Sequence, residues 1–280
     1  MKKILTLPLL FCLCACVDVP MDALPGAAVV PPQPTAMTDQ GLDPGYKTQE
    51  TAHFRVDAYG PEATARYAAL CEDNYTRIMQ DLGLYSFAPA RPYNVIIYKD
   101  LAELHAKVRL ASGESLPEWS GGLAKGNALL LVEGASLEAT MPHEMTHLVY
   151  NDFMGLSAAA RMAWLNEGLA VYEQTRADTV SAGAYASRVN AAVAPNPIPF
   201  TQMVNLAPLD ERNMDVDRWY AQVGSVVGFM IRQGGSFNFS LFLTRLRSGA
   251  DVDKALLETY GGMWSKLSDV EKVWKLEIQR

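Results

Sequence analysis

His143-Glu144-Met145-Thr146-His147 is the stretch whose reading decides the fold, and Trp164-Leu165-Asn166-Glu167-Gly168 completes it. On a helix turning about 100° per residue, positions four apart lie roughly 40° apart on one face. His143 and His147 can therefore give one nitrogen each to a single ion, at about 2.0–2.1 Å for Zn²⁺. Glu144 is rotated off that face. It can reach a water on the metal without becoming a ligand, which is what a general base must do. Catalytic zinc takes three protein ligands and keeps one position open, and Glu167 is the obvious third. It sits in the apolar helical run Ala163 to Tyr172, where a carboxylate with no partner is costly to bury. Two of the four histidines (His53, His105, His143, His147) fall in this pattern. The residues imply one Zn²⁺ per chain in a site built for hydrolysis.

The same residues resemble a family. His143 to His147 with Asn166-Glu167 looks like the gluzincin peptidases, the thermolysin and aminopeptidase type, with nineteen residues between the second His and the ligand Glu. Trp164 to Glu173 is similar to the small peptidase MA-like domains of that clan. Trp219-Tyr220-Ala221-Gln222-Val223-Gly224, then Ser248 to Leu257, Tyr260-Gly261-Gly262 and Trp274 resemble their tail. The resemblance covers roughly residues 50 to 277. It implies an α+β fold with a thermolysin-like core: a small, mostly antiparallel N-terminal sheet with helices, then a mainly helical lobe carrying the zinc site. It implies a peptidase acting on peptide or protein substrates. The alternative is an inactive periplasmic lipoprotein scaffold of the same fold that binds zinc or a peptide. The presence of Glu144 favours the enzyme, since a scaffold needs no base. A structural zinc domain is disfavoured because such sites are closed and usually Cys-rich.

At 280 residues and 49% hydrophobic composition the chain has ample core. Lys2 and Lys3 precede an apolar run, Ile4 to Leu13, too short to span a bilayer and shaped like a secretory signal. Leu13-Cys14-Ala15-Cys16 resembles a bacterial lipobox in which Cys16 becomes the lipidated first residue; ordinary signal cleavage nearby is the other reading. Residue 18, not 17, is the first Asp. By resemblance to Gram-negative lipoproteins this predicts an exported protein at the outer membrane, facing the periplasm. Of the four cysteines only Cys71 lies beyond the signal and lipobox, and it reads as a small core residue rather than a disulfide partner. Removing residues 1–15 takes away Lys2 and Lys3 and no acid, so the formal charge moves from −7 to −9. That balance argues against a nucleic-acid partner. Oligomeric state is silent.

The expected organisation is a signal peptide over 1–15, a lipidated N-terminus and Pro-rich tether over 16–47, an α/β lobe over 48–135 and a helical lobe over 136–280. Alternation predicts a strand from His53 to Ala58, and periodicity a helix over 61–82. A second strand is expected over Tyr93–Tyr98, and a short helix near Leu101–Val108. Gly126-Asn127 marks a tight turn before Leu129–Val132, hence a hairpin. By the resemblance its flank, Gly121 to Lys125, is either the edge that holds substrate backbone by β-addition or a plain structural hairpin. The metal helix is expected from about Ser136–Glu138 to Phe153, with Pro142 in its first turn. The next helix, roughly Ala158 to Arg176, presents Glu167. Residues 178–214 read as a long irregular connection, and helices resume from Asp217.

Hydrolysis also needs a donor for the developing oxyanion. Some gluzincins use a later histidine, but none follows His147. Tyrosine serves in other branches, and Tyr220 stands where the resemblance puts one; it reads equally as a core tyrosine. Tyr172 is more naturally core. Ligating histidines usually give their other N–H to an acceptor, and Asn166 and Glu173 are the candidates, with Glu173 alternatively solvated surface. Thr146 can return its hydroxyl to a helix carbonyl.

Overall fold

The computed structural model describes residues 42–113, 115–116, 120–177, 179–206 and 216–279. The expected signal, Cys16 and most of the tether lie outside the described residues.

Strands β1 (Tyr46–Glu50), β2 (Phe54–Tyr59), β3 (Tyr93–Tyr98), β4 (Gly122–Lys125) and β5 (Ala128–Val132) form one sheet in the order β1-β2-β3-β5-β4. Successive side chains point to opposite faces. Phe54 and Val56, Val95 and Ile97, and Leu129 and Leu131 therefore share one face. Ile96, Tyr98, Ala128 and Leu130 share the other. Helices α1 (Pro61–Leu82) and α3 (Leu137–Met154) cover the first face, and Leu104 and Val108 of α2 (Leu101–Ser112) pack on the second.

The sheet is mixed, not mostly antiparallel. β2 pairs with β3, and β3 with β5, in parallel; only β1–β2 and β4–β5 are antiparallel. The cause is connectivity. α1 carries the chain from β2 back to the start of β3, which makes that pair parallel. After α2 the chain enters as β4, opposite to β3, and the tight turn at Gly126-Asn127 reverses it so that β5 runs parallel to β3. Burial on both faces explains why Tyr93–Tyr98 and Ala128–Val132 are nearly continuous apolar runs rather than alternating ones. β1 precedes the expected start of structure at His53. It is a mostly exposed edge strand with no apolar alternation to betray it.

Helix α1 runs over the expected span, with Pro61 in its first turn and Gly83 closing it at φ 67°. Cys71 is buried there, its Sγ 3.9 Å from Met141 Sδ of α3. The second ligand helix is divided in two. A short α4 (Leu156–Ala160) and α5 (Ala163–Thr175) meet at Met162, which leaves helical geometry at φ −123°, ψ 44°. No Gly or Pro marks that break in the sequence. Met162 O accepts from both Leu165 N and Asn166 N and so starts α5 afresh.

Residues 179–206 are not irregular. They hold α6 (Thr179–Arg188), a π-helical turn (Val189–Val193) and α7 (Phe200–Met203). Pro208 and the rest of 207–215 lie outside the described residues. α6 buries none of its residues fully, so small and polar side chains leave no apolar stripe to read. Its anchor is Tyr185, whose hydroxyl donates to Ala221 O at 2.7 Å. α8 (Val216–Arg247) bends at Gly235, φ 78° and ψ 154°, and α9 (Val252–Thr259) and α10 (Leu267–Ile278) close the chain. One core cluster runs from Phe54 in the sheet to Trp274 in α10. Among the described residues no helix is long and apolar enough to cross a membrane.

Candidate metal centre

Helix α3 is buried from Thr140 without interruption to Tyr150, wedged between the sheet, α1 and α5. Polar side chains on such a helix are costly unless each finds a partner. Pro142 is the sixth helical residue, past the first turn where it was expected. The helix starts where expected, at Leu137, with Gly134 O and Ser136 O accepting the N–H groups of Leu137, Ala139 and Thr140. Thr146 Oγ1 donates to Pro142 O at 2.7 Å, as the sequence suggests.

His143, His147 and Glu167 come together as a buried group able to hold a metal ion. The two Nε2 atoms are 3.2 Å apart. Glu167 Oε2 is 3.8 Å from His143 Nε2 and 3.6 Å from His147 Nε2. Three ligand atoms bound tetrahedrally to one ion at about 2.0–2.1 Å would sit roughly 3.3 Å apart, so the residues fit an ion.

The hydrogen bonds behind the rings strengthen that fit. His143 Nδ1 lies 3.0 Å from Gln174 Oε1, and His147 Nδ1 lies 2.9 Å from Asn166 Oδ1. An amide oxygen only accepts, so each Nδ1 carries a proton, and Nε2 is the nitrogen each ring has left for a metal. Burial, then the adjacent His147 ring, push His143 down to about 3 despite Gln174. It is neutral at pH 7, as a ligand must be. Two imidazole Nε2 atoms and a carboxylate oxygen converging in a buried space are what a cation would satisfy.

The Asn166-Glu167-Gly168 run has a part for each residue. Asn166 holds His147 and passes its Nδ2 to Asn151 Oδ1 at 3.4 Å. Glu167 enters the cluster. Gly168 admits α8: a Cβ there would stand 2.7 Å from Val223 O and 2.6 Å from Val227 Cγ2.

Gln174 is the functional residue that sequence reasoning missed. It stands seven positions after Glu167, two turns on and on the same face, and that spacing was the available signal. Glu173, expected either behind a ligand or in solvent, does neither. It is fully buried, and Arg77 Nε of α1 donates to its Oε2 at 3.1 Å. Its position, about 100° around the helix from Gln174, turns it toward α1 instead. Burial, then Asp81, raise its carboxyl to about 8 against the pull of Arg77.

Glu144, next in sequence to His143, is buried in α3. Strand β4 passes close to it: a Cβ on Gly122 would lie 2.9 Å from Glu144 Cγ. β4 is the edge of the described sheet. Gly121 O accepts from Val132 N, and pairing alternates along an antiparallel ladder. Leu123 and Lys125 therefore bond to β5, while the backbone groups of Gly122 and Ala124 face the open edge. Tyr220 is buried in α8 with its ring 5.2 Å from that of Trp219. It stands one turn before Val223, which meets Gly168.

The chain matches the peptidase MA superfamily over residues 71–279. It belongs to that superfamily, and the match takes in α3, α5 and every residue of the cluster. No curated protein matches it.

Proposed function

We propose that the protein is a zinc-dependent peptidase of the gluzincin type. The observation that carries this reading is the convergence of two imidazole Nε2 atoms and a buried carboxylate, with a second buried carboxylate, Glu144, next in sequence to His143. His143, His147 and Glu167 would hold one Zn²⁺, with the fourth position left for water or substrate. When bound, the ion would polarise the scissile carbonyl and lower the pKa of water toward about 7.

The chain's own residues do the rest. An extended substrate pairs with the outward Gly122 N–H and the backbone groups of Ala124, adding a strand to the sheet edge. Glu144 takes the proton of the attacking water and returns it to the leaving amine. The Tyr220 hydroxyl donates to the carbonyl oxygen as charge builds on it. Asn166 and Gln174 keep the two imidazoles in the ligating tautomer. Residues 1–15 direct export, Cys16 carries lipid at the outer membrane, and the Pro-rich tether holds the domain in the periplasm.

The test pairs metal content with cleavage of a peptide library by the full chain. Wild type should carry one zinc and cut. Glu144→Gln should keep the zinc and lose turnover by about 10²–10⁴-fold. Full zinc occupancy with no cleavage by wild type would instead support a binding scaffold of the same fold. Mass spectrometry of the mature N-terminus tests the lipid on Cys16.

A further inference from the structure

Gly122 lies where the sheet edge comes nearest to α3. A Cβ built there would lie 2.9 Å from Glu144 Cγ, 2.9 Å from Thr140 Cγ2 and 3.1 Å from Leu131 Cδ2. None of these is a loose chain end. Thr140 and Leu131 are buried, and Glu144 Cγ is the middle of a side chain that is itself fully buried. A methyl group at 122 must therefore rotate Glu144 or lift β4 away. The neighbouring Gly121 is different: a Cβ there meets nothing within 4 Å. Both lie outside the left-handed region, so the contrast between them is steric and not a matter of backbone strain.

The strand is also pinned just before this point. Ser120 is buried, and its Oγ donates to Gly122 O at 3.0 Å. His105 Nε2 of α2 lies 3.2 Å from Ser120 O. Gly122 is thus tied from behind to α2 through Ser120 while its α-carbon abuts Glu144.

We infer that Gly122 is a positioning residue for Glu144: its missing side chain lets the pinned strand and the carboxylate occupy adjoining space beside the metal cluster. This rests on the reading of Glu144 as general base. The residue's demand is for hydrogen at one place, since Gly121, one residue earlier, makes no such demand.

The experiment compares Gly122→Ala with Gly121→Ala in the full chain. Gly122→Ala should lower kcat by about 100-fold with KM little changed, as misplacing a catalytic group by about 1 Å does, whereas Gly121→Ala should stay within about twofold. Neither should change zinc stoichiometry. A second readout does not need turnover. In the cobalt(II)-loaded protein, Gly122→Ala should alter the visible spectrum as Glu144→Gln does, and Gly121→Ala should not. Adding Gly122→Ala to Glu144→Gln should change the spectrum no further, the signature of two positions acting through one group. Should Gly122→Ala fail to fold, Gly122→Ala/Thr140→Ser removes one contact while keeping that with Glu144, and is read against Thr140→Ser alone. A raised KM with unchanged kcat, equal effects of the two alanines, or an additive spectral change in the Glu144→Gln background overturns the inference. If wild type cleaves no peptide but the spectra behave as described, the peptidase reading fails and the role of Gly122 stands.

Discussion

Glu167 and Glu173 stand on the same helix, six residues apart, and both are buried. Arg77 reaches across from α1 to Glu173, so the chain answers that carboxylate with its own cation. Glu167 instead faces two imidazole nitrogens whose rings are held in place by Gln174 and Asn166. The difference is what separates a structural carboxylate from a ligand. A carboxyl bonded by an arginine of the fold needs nothing from outside, and a carboxylate facing two imidazole nitrogens can take a metal. Burial alone does not distinguish them; the chemistry of the facing groups does.

The sharpest way to break the comparison is to remove a ligand. His147→Ala should take zinc binding from stoichiometric to undetectable, by elemental analysis of dialysed protein, while Arg77→Leu should leave it intact. Arg77→Leu should act on stability instead. Stranding buried Glu173 should cost about 3 kcal/mol at about pH 8, measured by denaturant unfolding, and less near about pH 5 where Glu173 is protonated. Unchanged stability at both pH values would deny that the pair closes α1 onto α5.

Smaller effects sharpen the contrast. Gln174→Leu removes the acceptor behind His143 and should weaken zinc binding by about 10–100-fold in a competition titration. No change there would remove Gln174 from the site. The pH dependence of wild type reads the Glu173 carboxyl directly. It is raised from 4.5 to about 8 in the fold, so the folded chain holds that proton more tightly than the unfolded one. Its stabilising contribution is complete below about pH 4.5 and is lost as pH rises through about 8. Wild type should lose stability over that window, and Glu173→Gln should flatten the profile.

The cluster was largely legible in the sequence because helix geometry is local. His143 and His147 are four apart, and Asn166-Glu167 announces a polar face inside an apolar run. What lay beyond a single helix was harder to see. Strand direction depends on what joins the strands, and the apolar runs Tyr93–Tyr98 and Ala128–Val132 were the overlooked sign of parallel, doubly covered strands. Helix α6 escaped because it buries no complete side chain. The break at Met162 follows from hydrogen bonding, with no residue to signal it. Glu173 could not be separated from Gln174 without knowing that α1 lies on one side of α5 and the histidines on the other.

The most direct measurement of the central claim is an anomalous difference map at the zinc edge from crystals of the zinc-loaded protein. The account predicts one peak within about 2.0–2.1 Å of His143 Nε2, His147 Nε2 and a Glu167 carboxylate oxygen. A zinc peak elsewhere, or a fully loaded crystal with none between these three side chains, would contradict it.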